Sequence, residues 1–203
     1  MDEFVENLLA TLPLTDYTSD FQDLMSAHEA GHATLGITLG ARIEAVYAQR
    51  GDKPNPVNGK IRLLYQTKFG APSRAGLNLK DIILFTAGGA AGEFLLNGKW
   101  EPDCVQVDRT QLEERDIWNF GYCVKLAIDL LRENQDLLTA IRNKIRASMS
   151  ELKNCKVARR GTHIILVKGS EIDKMFRMMG FRVSPATLDL EIAKLRENKS
   201  ARS

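Results

Sequence analysis

"SAHEAGHATLG", Ser26 to Gly36, holds two of the three histidines of this 203-residue chain. They stand four residues apart, with Glu29 directly after the first. Helical spacing runs from near Phe21 to about Leu39, and Gly40 is placed to end it. On a helix, residues i and i+4 are neighbours on one face, so His28 and His32 can hold one metal ion between them. Imidazole nitrogens bind zinc at about 2.0–2.1 Å. Glu29 is turned by about 100° from His28, which makes it a poor third ligand and a good acceptor for a proton from a metal-held water. This is the arrangement of a zinc hydrolase: the metal acidifies a water and the glutamate makes it a nucleophile. The competing account is a set of polar residues on a solvated helix face. Gly31 argues against it. Glycine costs about 1 kcal/mol relative to alanine inside a helix, and its place between the histidines has a reason if another element packs closely there.

Working outward, "ARIEAVYAQ" (41–49) has strand character and "RGDKPNPVNGK" (50–60) is punctuated as a turn or loop. "KIRLLYQTK" (60–68) reads as a second strand, forming a small antiparallel pair with the first. Leu79 to Leu96 is an apolar helix, expected to be buried, that carries Glu93. "NGKWEPDCVQV" interrupts the pattern. A long helix is expected from near Asp108 toward Arg132, then another over about Asn134–Lys153. "KNCKVARRGTHIILVKG" mixes a basic loop with a short strand, and Ser170 with Asp173 resembles a capping box opening a helix through Met179. Residues 1–20 form an N-terminal extension with a short amphipathic helix (Phe4, Val5, Leu8, Leu9). Residues 21–182 form the main domain. Ser184-Pro185 opens a last helix (Leu188, Ile192, Leu195) in a C-terminal segment, 183–203. Asp16, Asp20 and Asp23 are placed to charge the N-terminus of the motif helix.

The bulk properties narrow the function classes. Apolar residues make up 44% and charged residues 27%, enough to build a core. A net charge of +2 is too small for a nucleic-acid binder, and no aromatic residues interleave with the basic run near Arg159 to stack bases. Three cysteines without CxxC spacing give no disulfide framework and suit a reducing compartment. The acidic N-terminus is unlike a secretory signal, and no apolar run is long enough to span a membrane. The expected location is the cytoplasm.

A catalytic zinc needs a third protein ligand and an open position. The metzincin pattern asks for Gly and His where this chain has Leu35 and Thr38. A thermolysin-like glutamate would fall near the Pro-Asn loop, where the acid is Asp52. Glu93 and Asp103 are further carboxylate candidates. His163, inside an apolar run, reads as structural. Asp108 reads as an ordinary helix N-cap paired with Gln111.

"HEAGHATLG" resembles the motif helix of the FtsH-type ATP-dependent zinc metallopeptidases. "QRGDKPNPVNGKIRLL" is similar to that family's stretch leading into the edge strand beside the substrate cleft, and "FTAGGAAGEFLLNG" to its "GGRAAEELxFG" helix. "CVQVDRTQLEE" stands where the family has "SNDLxxAT", and "ILVKGSEIDKMF" resembles a later helix start. The likeness spans roughly residues 22–180. It implies a mainly helical α+β, zincin-like domain with one Zn2+ per chain. His28, His32 and Asp108 would be the ligands, and Glu29 the base. Glu93 would support a zinc-bound histidine or serve as the alternative ligand. Lys60, Ile61, Arg62 and Leu63 would lie in a substrate-binding edge strand. Substrates would be peptides or unfolded proteins, with a separate partner protein or self-assembly where the family uses its ATPase ring. No GxxxxGK[ST] occurs here, and Val105, Gln106 and Val107 replace the family's small residues before the aspartate. A second reading keeps the fold and metal as a non-catalytic interaction or regulatory module; Glu29 argues for catalysis.

Overall fold

The computed structural model describes residues 19–54, 61–70, 79–100, 102–152 and 163–180. The expected N-terminal helix, most of the Pro-Asn loop, the basic run near Arg159 and the last helix lie outside them. The elements are α1 (Ser19–Thr38), β1 (Ile43–Pro54), β2 (Ile61–Phe69), α2 (Leu79–Asn97), α3 (Pro102–Glu113), α4 (Phe120–Glu133), α5 (Gln135–Glu151), β3 (His163–Lys168) and α6 (Gly169–Met179). The fold is α+β as expected, mainly helical with one small antiparallel sheet of order β2-β1-β3.

α1 is the central element. Nearly every residue from Gln22 to Thr38 is buried, whatever its polarity. Its end is a Schellman turn: Gly40 takes a φ of 86°, and the Ala41 N–H reaches the Gly36 carbonyl at 2.8 Å. α2 is buried continuously from Thr86 to Glu93. The two helices touch through glycine. A Cβ on Gly31 would sit 2.0 Å from the Gly88 carbonyl oxygen, and one on Gly92 would sit 2.4 Å from that of Ala27. The backbones therefore approach as only glycine allows, which is the packing reason the motif glycine called for.

α4 and α5 close the other side. Val124, Ala127, Leu130 and Leu131 on α4, and Leu137, Leu138, Ile141 and Ile145 on α5, fill the core. Asp23 does not serve α1 as a terminal charge. Its carboxylate accepts from Arg142 (2.9 Å) and Arg146 (2.8 Å), tying α1 to α5.

Three expectations are corrected. The long helix from Asp108 toward Arg132 is two helices, α3 and α4. Asp116, at a φ of 60°, ends α3 while the Ile117 N–H bonds back to the Leu112 carbonyl at 2.9 Å. Asn119 then caps α4, accepting from the Tyr122 N–H. Because α3 starts at Pro102, Asp108 lies inside a helix and is not an N-cap. The late capping box is shifted as well: Glu171 accepts from the Lys168 backbone N–H at 3.1 Å, so α6 opens at Gly169.

β1 runs further than its strand-like sequence, through Pro54, with Arg50 opposite Leu63 and Pro54 opposite Ile61. β3 pairs with the opposite edge of β1, leaving β2 as one outer strand. Gly169 follows β3 where a Cβ would meet the Ile43 carbonyl oxygen at 1.8 Å, so the chain must turn there without a side chain.

Candidate metal centre

α1 and α3 bring three ligand groups to one point, and α2 backs them. His28 and His32 project from one face of α1, their Nε2 atoms 3.1 Å apart. Asp108 reaches across from α3, with Oδ1 3.5 Å from His32 Nε2 and Oδ2 3.7 Å from His28 Nε2. One ligand atom from each residue lies within 4.8 Å of the others, and all three residues are buried. This buried group can hold a metal ion, and it is the one such group among the described residues.

The outer nitrogens settle the tautomers. His32 Nδ1 lies 2.9 Å from the Phe85 backbone oxygen. A carbonyl only accepts, so Nδ1 carries the proton and Nε2 keeps its lone pair. His28 Nδ1 lies 2.6 Å from Glu93 Oε1 and donates to that carboxylate. Both partners come from α2, whose close approach the glycines permit. A Cβ on Gly89 would fall 2.4 Å from the His28 ring, so that glycine clears room for the imidazole itself. Glu93 is fully buried and engages the far side of the ring from the convergence point. It thus stands as a support that orients His28 rather than as a third ligand.

Two lone pairs and a carboxylate facing one another in a buried space repel unless a cation sits among them. Asp108 Oδ2 is fully enclosed and has no hydrogen-bond donor among the described residues. Left so, a buried carboxylate oxygen costs free energy. Two imidazoles and a carboxylate form a donor set that suits zinc. The residues present therefore fit a divalent ion of that kind.

Without metal, a proton takes the cation's place. Burial works against a charged imidazole at His32, yet the carboxylate of Asp108, with smaller help from Glu29 and the Phe85 carbonyl, raises its pKa from 6.5 to about 9. At His28 burial again opposes the charge, and the Glu93 hydrogen bond, with Asp108 and Glu29, carries the pKa upward despite His32. A pKa raised in the folded state adds stability below the unfolded value and loses it as pH rises through the folded one. The metal-free chain is expected to lose thermal stability between about pH 6.5 and pH 9. With zinc in place of the proton, that fall should be absent. Thermal melts across this range, with chelator and with zinc, check it.

Glu29 is buried beside the ligands, 3% exposed. The Thr67 hydroxyl of β2 lies 2.7 Å from its Oε2 and 3.2 Å from its backbone oxygen. Thr67 was not singled out by the sequence, where it is one polar residue in an alternating strand. The expected edge-strand residues are placed differently. Lys60 lies outside the described residues, Ile61 and Arg62 start β2, and Leu63 is buried at 4% exposure. Thr67, four positions beyond Leu63 and so about 13 Å along the strand, is the part of β2 that reaches the site. His163 is remote: it begins β3 and stacks on Tyr47, ring centroids 4.6 Å apart. Asp52 and Asp103 have no described side chain. No helix among the described residues is long and apolar enough to cross a membrane.

No protein-family model matches this chain, and no curated protein matches it.

Proposed function

We propose that this chain is a zinc-dependent peptidase domain of the FtsH kind, hydrolysing peptide bonds in unstructured substrates. The observation that carries the reading is the convergence of His28, His32 and an Asp108 oxygen that has no hydrogen-bond donor among the described residues, with Glu29 beside the histidines on their helix. His28, His32 and Asp108 would hold the ion, which when bound supplies Lewis acidity toward a carbonyl and a more acidic water. Glu29 takes the proton from the attacking water and returns it to the leaving amine. Glu93 and the Phe85 carbonyl keep the two imidazoles in the tautomer that leaves Nε2 free for the ion. β2, an outer strand of the sheet, offers its backbone edge to an extended peptide. The likeness of the "AGGAAGEF" helix and of the Asp108 segment to the FtsH peptidase domain supports the same choice of fold and ligand.

The test pairs metal retention with cleavage. Zinc-loaded chain is expected to cut casein or members of a peptide library, and chelated chain to cut neither. Asp108→Ala should lower zinc affinity at least tenfold, the order seen when even a supporting residue of a metal site is removed. A chain that holds zinc but cleaves nothing across a broad library would favour the non-catalytic module. A chain that takes up no zinc would sink both readings.

A further inference from the structure

Glu29 has one protein hydrogen-bond donor among the described residues, and it comes from the sheet. The Thr67 hydroxyl lies 2.7 Å from Oε2. Both residues are buried, at 3% and 7% exposure, so water competes weakly for that contact. Oε1 has no hydrogen-bond donor among the described residues. The two oxygens thus differ: one is held by β2, and the other meets no donor there. A glutamate side chain has three rotatable bonds, and α1 alone fixes none of its outer torsions. A fixed donor on Oε2 removes that freedom and sets the direction in which Oε1 points. Thr67 is itself fixed, because β2 pairs with β1 and Val46 opposite it is fully buried.

We infer that Thr67 is the positioning residue for Glu29: its hydroxyl holds Oε2 so that Oε1 faces the reacting water. The inference rests on the peptidase reading above. It also makes the outer strand part of the catalytic apparatus, since any shift of β2 near Thr67 is carried to the base through one hydrogen bond.

Thr67→Val keeps the shape and removes the donor; Thr67→Ser keeps the donor and removes a methyl. In the zinc-loaded 203-residue chain, Thr67→Val should lower kcat about tenfold to a hundredfold, the scale of a misplaced catalytic group, with KM within about twofold and zinc content unchanged. Thr67→Ser should recover most of kcat. A second measurement does not depend on turnover. In urea unfolding, Thr67→Val should shift the folding equilibrium about tenfold or more in the wild-type background, the order of a hydrogen bond to a charged group. It should shift it far less in the Glu29→Ala background. Wild-type kcat in Thr67→Val, or equal shifts in both backgrounds, overturns the inference while the peptidase reading stands. A wild type that holds zinc and never cleaves overturns the peptidase reading and with it the catalytic meaning of the contact. The unfolding cycle then still decides whether Thr67 holds Glu29.

Discussion

Glu29→Gln is expected to leave zinc bound and to slow peptide hydrolysis by about a hundredfold to ten-thousandfold, the range a positioned general base contributes. The substitution keeps the size of the side chain and its acceptor for the Thr67 hydroxyl, so the buried contact between α1 and β2 survives. What it removes is the basic oxygen. Zinc retention should not change, because the group that can hold the ion is His28, His32 and Asp108, without Glu29. A melting temperature within a few degrees of wild type would exclude misfolding as the cause. The check is kcat/KM on an unstructured peptide beside the zinc content of the same sample. Equal activity in the variant would remove Glu29 from the mechanism.

Gly31→Ala has the largest expected effect on stability. Alanine favours a helix over glycine by about 1 kcal/mol, so on propensity alone the change would stabilise. The structure reverses the sign. The added Cβ would lie 2.0 Å from the Gly88 carbonyl oxygen and 2.8 Å from its carbon. These are backbone atoms in the buried middle of α2, so no side chain can turn aside. α1 and α2 must part, at a cost of about 1–3 kcal/mol or more for overpacking. Because Glu93 and the Phe85 carbonyl reach the histidines from α2, the same movement should loosen both imidazoles and weaken zinc binding. Gly121→Ala is the control, since a Cβ there meets nothing within 4 Å, and it should be neutral or mildly stabilising. Denaturant unfolding of the two variants, with a zinc titration of each, checks both halves. A Gly31→Ala chain as stable as wild type would show that the glycine contact does not set the distance between the helices.

The contrast between these positions shows what the sequence can carry. The placing of His28 and His32 side by side was legible because positions i and i+4 share one helix face. Gly31 was legible because a glycine inside a helix needs a reason. Asp108 was reachable through the family resemblance alone: its position beside the histidines depends on how α3 crosses α1, which no local pattern encodes. The break at Asp116 was missed because the apolar spacing of "DRTQLEERDIWNFGYCVKL" continues through it, and an aspartate at positive φ leaves no signature as strong as glycine. Thr67 was invisible for the same reason as Asp108, since its partner is 38 residues away. The α+β class and the pairing of β1 with β2 could be read from alternation and turn residues. The docking of β3 on the far edge of β1 could not, because a short apolar run does not say which strand it will join.

His28, His32 and Asp108 are expected to share one metal ion. Crystals of the zinc-loaded chain, measured at the zinc absorption edge, test it most directly. A single anomalous peak per chain is expected, within about 2.0–2.2 Å of both Nε2 atoms and of an Asp108 carboxylate oxygen. No peak there, or a zinc ion held elsewhere while Asp108 turns away, would contradict it.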